Sequence, residues 1–313
     1  MRAWSTVLKI DVSPACNLRC TTCVHARQSG GSCLEKQYFH PDQKMSVEQY
    51  RRIIGEIRGK SVAVSLYYQG DPLMHPDIDQ MCRIARLAGL NVHLSTNFSF
   101  PWIDERIWRH PESGATHLTV CVDGLSQEKY ERTRVGARID WVLFNLERIC
   151  SYTKERRLRY PKIEVQYLLF DHNKDEAKPA LRAFRWLGVE HVVFKKGATF
   201  SYNRLPVTRL QGPKGNRWFP RCLWPHFFMV VKYNGDVIPY CWYRIQEQYS
   251  QIGDPRPLGN VFQSNVSEVW NSLAYRQLRR LVSNPAKAAT EPGSKNSFCH
   301  GCPQIFYVTI IRF

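Results

Sequence analysis

Three cysteines stand within eight residues, Cys16-Asn-Leu-Arg-Cys20-Thr-Thr-Cys23, and four more fall at Cys222, Cys241, Cys299 and Cys302. Thiolates are soft ligands that suit iron–sulfur clusters and zinc. A four-iron cubane held by three protein thiolates leaves one iron open to a small molecule. A structural zinc site takes four ligands, usually from two close pairs. The first set supplies three ligands and predicts an open centre. The second supplies four, so a closed [4Fe–4S] cluster and a four-cysteine zinc site both fit, and spacing alone does not separate them. The chain has 11 cysteines in all, an odd number, and no secretory signal opens it. That pattern predicts a reducing, cytoplasmic compartment, where spaced cysteines mean metal or catalysis rather than disulfides.

The elements that carry these cysteines alternate. Val7–Val12 reads as a strand, and Ser46 caps a helix with apolar residues at Val47, Tyr50, Ile53 and Ile54. Strands are predicted over 61–68, 92–95, 118–122, 163–170 and 192–195, with helices over 77–87, 127–134, 141–152 and 175–186. Repeated strand–helix units predict a parallel sheet or barrel with helices outside, and six strands are too few to close an eight-stranded barrel. The pattern changes near residue 200. Residues 201–221 read as a connecting loop. Beyond it Asn234-Gly235 marks a hairpin between 227–232 and 237–240, which sets Cys222 and Cys241 near one another. One helix over 266–281 and a low-order stretch over 283–297 lead to the Cys299/Cys302 pair. The expected division is residues 1–205 and 206–313.

Cys-x3-Cys-x2-Cys on the loop after a first strand resembles the radical S-adenosylmethionine (radical SAM) superfamily. The resemblance implies a partial (β/α)6 TIM-like barrel, a [4Fe–4S] cluster on Cys16, Cys20 and Cys23, and S-adenosyl-L-methionine on the open iron. Reductive cleavage would give a 5′-deoxyadenosyl radical that abstracts hydrogen from substrate. Tyr68-Gln69-Gly70-Asp71-Pro72 is similar to the family's Gly-Gly-Glu-Pro motif, which implies contacts from Gln69, Gly70 and Asp71 to the methionyl ammonium. Ser95 and Asn97 resemble ribose or carboxylate contacts. Val120-Cys-Val-Asp-Gly124 followed by Arg134 matches the Ser-Val-Asp-Gly strand and a carboxylate-binding Arg, and Gln166 and Asn173 match more weakly. Cys222-Leu-Trp, Pro239-Tyr-Cys241, Leu258-Gly-Asn-Val261 and Cys299-x2-Cys302 resemble the SPASM/twitch extension, in its shorter form with one auxiliary [4Fe–4S] cluster.

The resemblance implies a radical SAM oxidoreductase, similar to 2-deoxy-scyllo-inosamine dehydrogenase-type enzymes, acting on a small polar sugar-, cyclitol- or metabolite-like substrate. A peptide- or protein-modifying maturase, a radical epimerase with Cys33 as hydrogen donor, and a non-catalytic cysteine-ligated zinc or iron–sulfur module are the alternatives. Asp123, Tyr68, Lys195 and Lys196, near strand ends, are the candidate bases. Cys82, Cys121 and Cys150 fall in apolar patterns and are expected in the core.

Hydrophobic residues at 43% and charged residues at 23% exclude a disordered chain, and the apolar runs are too short to span a bilayer, so no membrane partner is expected. The net charge of +17 is large, and residues 201–313 hold 14 Lys/Arg against 5 Asp/Glu. No basic block interleaved with aromatics occurs, so nucleic acid is not an expected partner. A basic face suits an acidic flavodoxin or ferredoxin electron donor, and an anionic substrate would use the same field.

Overall fold

The structure, a computed structural model, describes residues 4–21, 23, 42–101, 112–197, 207–213, 215, 218–239, 257–300, 302 and 304–310, with backbone alone for 207–213, 295 and 306–310. Cys33 and Cys241 lie outside the described residues. The chain divides into two compact units, Ile10–Thr199 and Met1–Lys9 with Phe200–Phe313.

The element order begins β1 (Val7–Ile10), α1 (Val47–Ile57), β2 (Ala63–Ser65), α2 (Ile78–Leu87), β3 (Asn91–Thr96) and β4 (His117–Cys121). It continues α3 (Gln127–Glu131), α4 (Ile139–Glu155), β5 (Lys162–Leu169), α5 (Ala177–Trp186) and β6 (His191–Lys196). Helix α1 starts where the sequence places it. The Ser46 hydroxyl accepts the Gln49 N–H at 3.1 Å and the Gln49 side chain accepts the Ser46 N–H at 2.9 Å, a reciprocal cap. Its buried face is Tyr50, Ile53, Ile54 and Ile57, the spacing of one helical stripe.

Strands β2 to β6 form a parallel sheet in chain order, each paired with the next. The order follows from right-handed strand–helix–strand crossovers and gives an open wall, a partial barrel rather than a closed one. Its two faces differ. One carries Val92, Leu94, Val120, Val165 and Tyr167, all at 0% exposure. The other carries His93, Ser95, Thr119, Cys121, Glu164 and Gln166, of which only Thr119 is buried. Alternation along a strand, period 2, generates both faces at once. A complete barrel packs its interior with bulky branched side chains. This inner face is polar instead, and that suits a ligand surface.

The second unit contains the predicted hairpin. After β7 (Val207–Pro213) and the short α6 (Trp224–Phe227), β8 (Phe228–Val231) pairs antiparallel with β9 (Asp236–Ile238). Gly235 sits in the turn at φ +85°, where a Cβ would also strike the Phe262 ring at 2.5 Å. β10 (Gly259–Asn260) joins β9, and the local order is β10-β9-β8-β1. Three expectations are corrected here. The stretch 201–221 contains a strand, because β7 pairs antiparallel with β11 (Phe306–Ile310), about a hundred residues away. The expected single helix is two, α7 (Val266–Trp270) and α8 (Leu273–Ser283), because the Ser272 side chain caps a new start on the Tyr275 N–H. The stretch 283–297 holds α9 (Pro285–Ala288) and a further helical turn at Ser294–Asn296. Among the described residues no helix is long and apolar enough to cross a membrane.

Candidate active site at the carboxyl ends of the parallel strands

The loop after β1 carries Cys16, Cys20 and Cys23, and two other segments hold its backbone. On one side Gly70 presses against it. A Cβ there would stand 2.1 Å from the Ser13 carbonyl oxygen and 2.6 Å from that of Ala15, so only glycine permits the approach. The next residue, Asp71, donates its N–H to the Ala15 carbonyl at 2.9 Å. On the other side, Arg19 N–H donates to Val135 O at 3.0 Å and Thr21 N–H to Thr133 O at 2.9 Å. Between those ties, Leu18 N–H donates to Cys16 Sγ at 3.5 Å, and Asn97 Nδ2 lies 3.8 Å from the same sulfur.

Burial pushes the Cys16 thiol well up, with the Asp71 charge adding to it, and pushes Cys20 up to about 12 against the pull of the Arg134 guanidinium. Thiolates in such surroundings need a cationic centre to stay deprotonated, which is what a metal cluster supplies. Among the described residues no three Cys, His, Asp or Glu side chains converge as ligands of a single ion. Three soft thiolates on one short loop fit an iron–sulfur cluster with one iron left open.

The rim residues come from neighbouring strand ends. Gln69 is buried, its Nε2 finds no partner among the described residues, and its N–H donates to Asp11 Oδ1 at 3.4 Å. A buried amide without a partner is costly and fits a site that receives a polar ligand. Asp71 is buried with its carboxylate engaged: Oδ1 accepts Leu73 N–H at 3.0 Å, and Oδ2 accepts Thr96 Oγ1–H at 2.8 Å and Asn97 N–H at 2.7 Å. Burial raises its pKa to about 6, with those donors pulling it back down. Asp71 thus fastens the end of β3, and through its own N–H it fastens the cysteine loop. Asn97 donates to Asn17 Oδ1 at 2.8 Å, completing the tie between that loop and β3.

Asp123 and Arg134 are brought together as a buried ion pair. Arg134 Nε donates to Asp123 Oδ2 at 2.7 Å, Asp123 Oδ1 accepts Leu168 N–H at 3.1 Å, and the Asp123 carbonyl accepts Asn173 Nδ2 at 2.7 Å. The candidate base is therefore held on both oxygens. The same guanidinium acts on Cys20 from the segment that hydrogen-bonds the cysteine loop.

Ser95, Gln166 and Lys195 meet on the inner face. Ser95 Oγ lies 3.5 Å from Cys121 Sγ, Gln166 Nε2 lies 4.0 Å from the same sulfur, and Lys195 Nζ donates to Gln166 Oε1 at 2.6 Å. This row crosses β3, β4, β5 and β6, with Cys121 and Gln166 in register and Ser95 and Lys195 each one inward-facing residue out of step. Cys121, expected in the core, is half-buried at its centre, while Cys82 and Cys150 are buried as expected. The correction has a simple cause: Cys121 shares its face with Thr119 and Asp123, two residues either side. A second row lies two residues earlier along the same strands. His93 Nε2 is 2.9 Å from Thr119 Oγ1, Thr119 Oγ1 donates to Glu164 Oε1 at 3.5 Å, and Tyr67 Oη is 3.4 Å from His93 Nδ1. None of these four falls in a motif, and the alternation Asn91-Val-His-Leu-Ser-Thr96 is the signal that carries His93. Tyr68 is half-buried beside them in the chain, and Lys196 is exposed at the end of β6.

In the second unit Cys222 is half-buried, and Cys299 and Cys302 are buried on one turn, where Cys302 N–H donates to Cys299 O at 3.2 Å. Burial raises the Cys222 thiol.

Two family models match the chain. Residues 10–184 match the model of the radical SAM superfamily, and residues 222–303 match that of an iron–sulfur cluster-binding (SPASM) domain. GTP 3′,8-cyclase of Aquifex aeolicus (strain VF5) is 28% identical over 186 residues, 58% of this chain and 54% of the relative. AdoMet-dependent heme synthase of Methanosarcina barkeri (strain Fusaro / DSM 804) is 27% identical over 126 residues, 40% of this chain and 33% of the relative. The chain thus spans about half the length of the curated cyclase and a third of the synthase. Among solved structures, BtrN in complex with AdoMet and 2-DOIA superposes with a TM-score of 0.52 at 16% identity, covering 90% of this chain and 89% of the other. Streptococcus suis SuiB does so at 0.61 and 14% identity, covering 88% and 68%.

Proposed function

The chain belongs to the radical SAM superfamily, with a SPASM iron–sulfur domain, and we propose that it is an oxidoreductase acting on a small polar substrate of the sugar or cyclitol kind. The observation that carries this reading is the hydrogen-bonding inner face of the β2–β6 wall, Ser95–Cys121–Gln166–Lys195 above Tyr67–His93–Thr119–Glu164. Such a face rewards a ligand rich in hydroxyl or amino groups and penalises an apolar one, whose binding would strip these groups of water without replacing the bonds.

When bound, S-adenosylmethionine and a [4Fe–4S] cluster supply the radical that removes a hydrogen atom from substrate. The chain's residues do the positioning. Cys16, Cys20 and Cys23 would hold the active-site cluster, with Gly70 and Asp71 fixing their loop. Gln69, Asn97 and Arg134 would hold the cofactor's polar groups, Arg134 oriented by Asp123. The row from Ser95 to Lys195 would orient the substrate hydroxyls, and the Lys195 charge would favour an anionic group. Cys222, Cys241, Cys299 and Cys302 would hold an auxiliary [4Fe–4S] cluster that accepts the electron released on oxidation. We place the protein in the cytoplasm, reduced by an acidic flavodoxin or ferredoxin drawn to its basic surface.

Anaerobic reconstitution tests the reading. The expected result is about eight irons per chain and release of 5′-deoxyadenosine on reduction with dithionite. Replacing Cys16, Cys20 and Cys23 by Ala should abolish cleavage, whereas replacing Cys299 and Cys302 should spare some cleavage and stop turnover. Four irons per chain with no cleavage would overturn it.

A further inference from the structure

The structure assigns the Tyr275 hydroxyl as a hydrogen-bond donor to the auxiliary iron–sulfur cluster, one that favours uptake of an electron by that cluster. The inference rests on the auxiliary-cluster reading above and names a residue outside the cysteines that serves it. It begins with an imbalance of donors. Tyr275 is 0% exposed, and its hydroxyl finds no hydrogen-bond partner among the described residues. Trp270 Nε1, on a ring packed against it, is likewise unpartnered there. Arg221, the residue before Cys222, spends Nη2 on Gly215 O at 2.6 Å, yet its Nε is also buried without a partner among the described residues. Buried polar groups are almost always satisfied, so orphaned donors gathered in one unit point to a missing partner. An N–H of Trp or Arg only donates, and a phenol keeps its proton at neutral pH. The missing partner is therefore an acceptor. An iron–sulfur cluster is a dense array of acceptors, sulfides and thiolates together.

Position sets the cluster ligands beside these donors. Tyr275 and Arg279 lie one turn apart on α8 and share a face. The Arg279 guanidinium stands 4.9 Å from the centre of the Tyr275 ring and 4.1 Å from that of Trp270, and the two rings are 4.8 Å apart. Arg279 Nε donates to the carbonyl of Pro225 at 2.9 Å, shortly after Cys222, and Arg221 N–H donates to Val282 O at 2.7 Å, just before it. Helix α8 thus holds the Cys222 segment on both sides. The segment leading to Cys299 lies on the same helix, since a Cβ on Gly293 would stand 3.7 Å from Gln277 Nε2. Electrostatics agree. Burial pushes the Tyr275 hydroxyl up, the Arg279 guanidinium pulls it back, and the charge of Cys299 pushes it up again. The hydroxyl and the Cys299 sulfur therefore share one neighbourhood.

The consequence has a sign. Uptake of one electron makes a four-thiolate centre more negative, and donors to its sulfurs stabilise the reduced form over the oxidised one. The Arg279 cation, held against the tyrosine ring, acts in the same direction. Tyr275 thus tunes how readily the electron released on oxidation is accepted.

Tyr275→Phe removes the hydroxyl alone and keeps the ring against Trp270 and Arg279. Replacing Cys16, Cys20 and Cys23 by Ala in the full chain leaves the second cysteine set as the one loaded by reconstitution. In that background, EPR-monitored redox titration should show electron uptake disfavoured about tenfold by Tyr275→Phe, a fall in potential of about 59 mV. ENDOR spectra of the reduced cluster should lose one proton coupling that exchanges in deuterated water. A second measurement uses the apo-protein, where the hydroxyl has no partner: Tyr275→Phe should leave the urea midpoint unchanged or higher. An unchanged or raised potential overturns the assignment. So does a lower urea midpoint, which would mean that the hydroxyl is bonded within the protein. If the background chain binds no iron, the auxiliary-cluster reading fails and takes the inference with it. Iron that binds with a potential indifferent to Tyr275→Phe strikes the tyrosine assignment alone.

Discussion

The two faces of the β2–β6 wall are built by the same strands from alternate residues, yet they do opposite things. On the helix-covered face Val92, Leu94, Val120, Val165 and Tyr167 are fully buried, and burial at roughly 25 cal/mol per Å² of apolar area makes them the source of stability. On the inner face His93, Ser95, Thr119, Cys121, Glu164, Gln166 and Lys195 hydrogen-bond to one another across the strands. Such bonds contribute little net stability, because water would satisfy the same groups in the unfolded chain. The difference teaches how one sheet can separate folding from chemistry. Changes on one face should cost stability, and changes on the other should cost function.

The steepest break in that separation should come where the faces meet, at the Asp123–Arg134 pair. Arg134→Leu leaves a buried carboxylate without its partner and should destabilise the apo-protein by about 3–5 kcal/mol, read by urea unfolding. On the apolar face, Leu94→Ala should cost about 2–5 kcal/mol in the same assay, with its effect on cofactor binding following only from loss of folded protein. Asp71 gives a pH signature. Burial raises its pKa from the usual 3.8 to about 6, so the folded state binds the proton more tightly than the unfolded chain. Its contribution is fully present below pH 4 and is lost as pH rises towards 6, an effect on the order of 3 kcal/mol. The stability difference between wild type and Asp71→Asn, followed from pH 4 to pH 7, checks the sign. The smallest effect belongs to the inner face. Cys121→Ala should shift unfolding by less than about 1 kcal/mol, as expected for a half-buried side chain, and a loss of several kcal/mol would mean that Cys121 is core after all.

Much of this was legible in the sequence, and the parts that were not have physical reasons. The cysteine spacing named the chemistry because few structures need three thiols in eight residues. The turn at Asn234-Gly235 was readable because its φ > 0 requirement is local. Strand β7 was not, since Val207-Thr-Arg-Leu-Gln-Gly-Pro213 contains turn-forming residues and its partner β11 lies about a hundred residues on. Pairing at that distance leaves no local trace. Cys121 and His93 were missed for a different reason. Their strands read as apolar runs, and of the polar alternates only Ser95 and Gln166 stand in a motif that singles them out. Fully buried parallel strands read as continuous apolar runs, so a polar alternate in one marks an inner face with work to do. Asp71 and Asp123 show what motif reading leaves out. Their motifs imply a cofactor contact and a candidate base, and the hydrogen bonds add that one carboxylate fastens the β3 end and the other pairs with Arg134.

The central claim is that the polar inner face is where a small polar substrate lies during hydrogen abstraction. The direct measurement is transfer of deuterium from deuterated cyclitols and sugars into 5′-deoxyadenosine by the reconstituted protein, compared with Gln166→Leu. The account predicts transfer with the wild type, and its loss in Gln166→Leu while cleavage of S-adenosylmethionine continues. Deuterium transfer that is unchanged in Gln166→Leu would contradict it.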